Sequence, residues 1–291
     1  MPFRRFAIVC ALCALPCPAL ADEKPAKPGY GITPDVVYGH KDGLALTFDM
    51  IRPKNANKAG IMIMVSGGWV SRWFPPEIVA VASPMFREGV ASLLKKGYTL
   101  FLVRHGSSPR YKVPDAVKDV RLALNHIRTN AEKLGIDPER LGVIGGSAGG
   151  HLSLMLGTKP TTDDAKKGNA DGVAAVVALF PPTNLTNYIG PNERFPALEF
   201  DKKLAKFVSP LFHVSPGDAP TLLIHGDKDT LVPLSESENI EKAFAKEEVP
   251  CELIVIKGAG HGFKGDDEKK AAEAMVKWFD RYLAATGGSG D

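Results

Sequence analysis

Three residues sit in settings that suit nucleophilic catalysis: a serine, a carboxylate and a histidine. Ser147 is the centre of Gly145-Gly146-Ser147-Ala148-Gly149, a G-x-S-x-G pattern between an apolar strand-like run and a helical pattern. A nucleophile at the tip of so tight a turn must adopt strained dihedrals, and glycines two residues to either side let the two backbones pass. The helix start behind the serine favours developing negative charge, and Ala148 would offer its backbone N–H to an oxyanion. A serine hydroxyl needs a base and an orienting group. His261, flanked by Gly260 and Gly262 on a loop after the last strand-like run, has room to swing toward the serine. Asp229 follows another strand-like run in His225-Gly226-Asp227-Lys228-Asp229, where a carboxylate can hold an imidazole tautomer. Asp227 competes for that role. It lies tight against the strand end, where side-chain-to-backbone bonds that fix the loop suit it better.

A second set of groups lies near the N-terminal half. Ser66-Gly67-Gly68-Trp69 directly follows a continuous apolar run, and its small residues let N–H groups approach a substrate oxygen. Trp69, Trp73 and Phe74 come just beyond. They either line an acyl or alcohol pocket, with Trp69 and Trp73 as substrate-binding residues, or pack beneath the later segment 181–212. Trp278 belongs to a helical pattern and reads as core.

These groups need elements to hold them. Leu44 to Ile51 alternates apolar and polar residues as an antiparallel edge strand would. Ile61 to Val65, Thr99 to Val103, Leu141 to Ile144, Val173 to Phe180, Thr221 to His225 and Glu252 to Ile256 read as further strands. Helical spacing marks Asp115 to Leu134, ending at Gly135, together with about 235–247 and 268–284. Strands alternating with helices predict an α/β fold, a mostly parallel sheet with helices on both faces. The prolines and mixed polarity of 181–212 break the alternation where a small cap could insert. One domain is expected over 35–286, after a flexible lead-in at 22–34 and before a disordered tail at 287–291.

Composition narrows the function classes. With 44% hydrophobic and 24% charged residues among 291, the chain can bury one sizeable core. The formal charge of +3 includes Arg4 and Arg5, which belong to a segment expected to be removed. No basic stripe is present, so a nucleic-acid partner has no electrostatic support. Arg4 and Arg5, the apolar run Phe6 to Leu15 and Ala19-Leu20-Ala21 read as a secretory signal cleaved after Ala21. The run is too short to span a bilayer comfortably, and no stable membrane insertion is expected after cleavage. Three of the four cysteines fall in that signal, leaving Cys251 as a buried small hydrophobe without a disulfide. No Cys/His spacing suits zinc. The oligomeric state is not readable.

The chain order Ser, Asp, His is that of the α/β-hydrolases. The chain resembles their esterase branch, which includes hormone-sensitive-lipase-like and feruloyl/acetyl xylan esterases, and is similar to prolyl oligopeptidase-type catalytic domains. The resemblance rests on VSGGW at 65–69, the helix from Asp115 to Arg128, GGSAGGH at 145–151, SPLFHV at 209–214, HGDKDTLVP at 225–233 and GAGHGF at 258–263. It implies the α/β-hydrolase fold, a carboxylic ester substrate, no cofactor, and an oxyanion hole from Gly67, Gly68 and Ala148. One departure stands out: Val65 and Ser66 occupy the places where the esterase pattern has a histidine, which would brace the loop, and its first glycine. A peptidase is the first rival reading, and a non-catalytic binding protein on the same scaffold is the second.

Overall fold

The computed structural model describes residues 29–76, 87–158 and 172–285. The proposed signal, and the tail at 287–291, lie outside the described residues. Eight strands are present: β1 (Tyr30–Lys41), β2 (Leu44–Pro53), β3 (Gly60–Met64), β4 (Thr99–Val103), β5 (Leu141–Gly146), β6 (Ala175–Leu179), β7 (Thr221–Gly226) and β8 (Cys251–Ile256). They form one sheet in the order β1-β2-β4-β3-β5-β6-β7-β8. β2 runs antiparallel to β1 and β4, and every pairing from β4 to β8 is parallel.

The central strands are apolar on both faces because each face carries helices. Along β3, Met62 and Met64 enter one core layer while Ile61 and Ile63 enter the other. Along β4, Phe101 and Val103 alternate in the same way with Leu100 and Leu102. One layer is closed by α1 (Arg87–Lys95) and α6 (Asp266–Tyr282), through Val90, Leu93, Met275 and Phe279. The other is closed by α2 (Val113–Thr129), α4 (Ala148–Gly157) and α5 (Ser235–Lys246), through Val117, Val120, Leu152 and Phe244. A short α3 (Ala131–Leu134) follows α2 after a break at Asn130. Asp115 to Leu134 is therefore two helices, the second ended by Gly135 in the left-handed region at φ 64.

Two expectations about the sheet edge are corrected. β2 is antiparallel but interior, because β1 lies outside it. Residues 30–34, read as the end of a flexible lead-in, are the start of β1. An edge strand tolerates Pro34, whose missing N–H faces no ladder partner, and Asp35 at φ 51 marks a register shift between Thr33 and Val36. Arg104 fastens this edge. Its guanidinium bonds the fully buried Asp49, as well as Thr47 and Asp35, while Asp49 also accepts the Asp35 N–H. Helix α1 adds to the helical stretches expected from the sequence, and its Val90, Leu93 and Leu94 face the core at helical spacing. Cys251 is half-buried rather than buried.

Segment 181–212 consists of short 3₁₀ turns connected by bends, and it is packed down. Leu185, Ala197, Leu198 and Val208 are buried in the same core layer as α4. Glu236 at the start of α5 holds its first part: one carboxylate oxygen accepts from the Thr183 N–H, the Thr183 hydroxyl and the Asn184 N–H, and the other from the Tyr188 hydroxyl at 3.0 Å. Burial and the Glu236 charge push the Tyr188 phenol up to about 12.

Candidate active site

The strand-to-helix turn between β5 and α4 places Ser147 at φ 55, ψ −120, a strained conformation for a residue with a side chain. The glycines around it are required by contact. A Cβ on Gly145 would lie 2.3 Å from the Gly149 backbone, and one on Gly149 would lie 2.9 Å from the Met64 carbonyl oxygen. The turn is pinned by the Ser147 N–H on the Leu179 carbonyl at 2.9 Å, and by the first helical bond from the His151 N–H to the Ser147 carbonyl. Ser147 remains partly exposed, and its hydroxyl makes no hydrogen bond among the described residues. In a substrate-free site such catalytic bonds are often long.

Asp229 and His261 are brought together from loops after β7 and β8. Asp229 Oδ2 accepts from His261 Nδ1 at 2.7 Å, and Oδ1 accepts the Leu231 and Val232 N–H groups at 2.9 and 3.0 Å. The carboxylate side chain is fully buried while that of His261 is 20% exposed, so the imidazole reaches solvent and the carboxylate bonded to it does not. The bond on Nδ1 leaves the His261 Nε2 lone pair available. Phe180, directly after Leu179, lays its ring 4.6 Å from the His261 ring, and Leu179 is the residue whose carbonyl holds Ser147. The Ser147 turn and the His261 ring are therefore each anchored on one of two consecutive residues, Leu179 and Phe180, at the end of β6. Asp227, the competing carboxylate, instead accepts the Gly258 N–H at 2.6 Å and fixes the loop.

His225 is a neighbour that sequence reasoning passed over, although it opens the HGDKD stretch. Its Nε2–H donates to the Val232 carbonyl at 2.9 Å and also lies 3.4 Å from Asp229 Oδ2; its Nδ1 accepts from Ser237. Burial holds its pKa below that of a free imidazole. It is thus a neutral, polar floor beneath Asp229.

The loop after β3 is a two-residue turn. Gly67 and Val70 exchange both backbone bonds, at 3.0 and 3.1 Å, and the central residues Gly68 and Trp69 have φ 58 and 57, as a type I′ turn requires. For Trp69 this costs roughly 1–2 kcal/mol relative to an ordinary conformation. Gly67 is a correction: its N–H is committed to the Val70 carbonyl, which leaves the N–H groups of Gly68 and Ala148, and of Trp69 beside them, without an acceptor among the described residues. Ala148 opens α4, so its N–H has no intrahelical partner.

Trp69 is corrected as well. It is 5% exposed, and its indole Nε1–H points inward to His151 Nδ1 at 3.2 Å, so it supports the turn rather than lining an open pocket. Trp73 and Phe74 are 55% and 48% exposed and do not pack beneath segment 181–212. Phe195 of that segment occupies the space beside Gly68, where an added Cβ would come within 2.9 Å of its ring. Ser66, at the place where the first glycine was expected, donates to His105 Nε2 at 2.8 Å, and His105 Nδ1–H donates to the Gly106 carbonyl. Histidine bracing is thus present, supplied by His105 from the loop after β4 and by His151 from α4 rather than from position 65.

Among the described residues no group of His, Cys, Asp or Glu is placed to hold a metal, and no helix is long and apolar enough to cross a membrane. The site can activate a serine hydroxyl and stabilise negative charge on an adjacent oxygen.

The strand order, the strained serine turn and the Asp229–His261 pair define an α/β-hydrolase. Residues 48–244 match the BD-FAE family, and the chain belongs to it. The chain is 28% identical to Esterase LipC of Mycobacterium tuberculosis over 250 residues, which cover 78% of the chain and 59% of LipC. It thus spans less than two thirds of that relative. Among solved structures it is similar to esterase 2 of Thermogutta terrifontis phosphorylated by paraoxon, with TM-score 0.69 and 26% identity over 88% of this chain and 96% of that one. It is also similar to a truncated carbohydrate esterase from gut microbiota, with TM-score 0.67 and 27% identity over 88% of this chain and 99% of that one.

Proposed function

We propose that this chain is a secreted serine esterase that cleaves carboxylic esters through an acyl-enzyme on Ser147. The observation that carries the reading is the 2.7 Å bond from His261 to the buried Asp229 beside a serine held at φ 55 on a strand-to-helix turn. His261 Nε2 takes the Ser147 proton as the hydroxyl attacks the ester carbonyl, and Asp229 stabilises the imidazolium. The Ala148 and Gly68 N–H groups receive the developing oxyanion. Collapse expels the alcohol, protonated by His261, and water then attacks the acyl-enzyme by the same route.

The substrate class is a short-chain, carbohydrate-linked or aromatic acyl ester. The likeness to a carbohydrate esterase supports this, and so does the exposed pair Trp73 and Phe74 a few residues beyond the oxyanion turn. Trp73→Ala is expected to raise KM for a feruloyl ester more than for an alkyl ester. Secretion rests on Arg4, Arg5 and the Ala19-Leu20-Ala21 pattern, and N-terminal sequencing of exported protein should begin at Asp22.

The test is hydrolysis of p-nitrophenyl esters from acetate to laurate by the mature protein and its Ser147→Ala variant. Turnover weighted to short chains and abolished by the substitution is expected. Absence of turnover on every ester, with cleavage of proline-containing amides, would replace this reading with a peptidase.

A further inference from the structure

We propose that His151 is a positioning residue that holds the oxyanion turn in register through Trp69, with its tautomer set by segment 181–212. The inference rests on the esterase reading above. His151 is fully buried and lies in α4, one helical turn after Ser147. Both ring nitrogens are used. Nε2 faces the Val208 carbonyl at 2.7 Å, an acceptor only, and must therefore carry the proton. Nδ1 is then a lone pair, the one arrangement that can accept the Trp69 indole N–H at 3.2 Å. The two rings also meet edge to face, with centroids 5.5 Å apart. Burial lowers the His151 pKa to about 4, so the accepting form persists at neutral pH.

The far end of this contact is the residue that most needs holding. Trp69 is a bulky side chain at φ 57 in the turn whose Gly68 and Trp69 N–H groups have no acceptor among the described residues. Its carbonyl is tied to the Ser108 N–H, and its indole to His151. Ser147 and His151 share α4, while Val208 belongs to the segment that also presses Phe195 against Gly68. His151 therefore joins both halves of the oxyanion hole and the insertion above them in one chain of contacts.

The two conservative replacements separate its two bonds. His151→Asn keeps an acceptor near the Nδ1 position, whereas His151→Gln keeps a donor near Nε2 and loses the acceptor. Trp69→Phe removes the indole donor and keeps a ring. His151→Gln and Trp69→Phe are each expected to lower kcat on p-nitrophenyl acetate by roughly 10- to 100-fold with KM changed less than about threefold, and His151→Asn to recover most of kcat. The double variant should lose no more than the larger single loss. Affinity for an arylboronic acid, which forms a tetrahedral adduct on Ser147, should fall in parallel with kcat/KM. That binding is read without any ester, so its outcome stands apart from whether esters are the substrate. Wild-type kcat and boronate affinity in folded His151→Gln and Trp69→Phe would overturn the proposal. If His151→Gln does not fold, Trp69→Phe decides by the same criteria.

Discussion

Ser147→Ala removes the atom to which the acyl group would be bound, and His261→Ala removes its base. Each is expected to lower kcat/KM on a p-nitrophenyl ester by roughly 10³- to 10⁶-fold, with thermal unfolding nearly unchanged. Asp229→Asn is a sharper probe, because Oδ1 and Oδ2 have distinct partners. An amide that keeps its oxygen toward the Leu231 and Val232 N–H groups presents its NH₂ to His261 Nδ1. The imidazole is then held in the wrong tautomer, and a loss of about 10⁴-fold is expected. At Gly145 the constraint is steric. Gly145→Ala places a methyl 2.3 Å from the Gly149 backbone, and backbone yields less readily than a side chain. The turn must open, and a loss of about 1–3 kcal/mol in stability is expected together with loss of ester turnover, read by urea unfolding and by the same assay.

Among elements, segment 181–212 depends on Glu236 for its attachment to α5. Glu236→Ala leaves the Thr183 and Asn184 N–H groups without their acceptor, which costs about 1–3 kcal/mol per buried unsatisfied group. Amide hydrogen exchange at 183–188 is expected to accelerate while the strands β3 to β7 stay protected. Uniform acceleration over the whole sheet would mean instead that the insertion is an integral part of the core. The same reasoning explains why a cap was only partly legible. Its prolines and mixed polarity marked a departure from strand–helix alternation, but Leu185, Ala197 and Val208 are too sparse to announce that the segment is packed into the α4 layer.

For the whole molecule, three buried histidines set the response to acid. His105, His151 and His225 all have lowered pKa values, each chiefly because burial disfavours the charged ring. Below the unfolded value of about 6.5 the unfolded chain binds protons that the folded one refuses, so stability falls as pH falls. For His151 the loss runs from about pH 6.5 down to about pH 4 and amounts to about 3 kcal/mol. The other two histidines act with the same sign. Urea midpoints measured between pH 7.5 and 4.5 should decline over this window, and the slope should flatten in His151→Asn. A midpoint independent of pH over that range would show that the imidazoles find compensating partners on protonation.

The sequence by itself determined what depends on neighbours along the chain. Both-face apolar runs suit inner strands of a parallel sheet, and GGSAGG suits a turn whose backbones nearly touch, so the fold was legible and Ser147, Asp229 and His261 could be put forward as a triad. Asp229 was separable from Asp227 because its place in the loop is local. Partners far apart in sequence were not legible. The commitment of the Gly67 N–H to Val70 is a matter of turn geometry at Gly68 and Trp69, and the inward aim of Trp69 depends on a histidine 82 residues away. Whether Tyr30 to Pro34 is lead-in or strand was decided by β2 and Arg104, since an edge strand carries little apolar patterning of its own. Only the tertiary structure decided these points, because a buried polar group is assigned its role by whichever donor or acceptor the fold brings within about 3 Å, and residue type alone does not encode that partner.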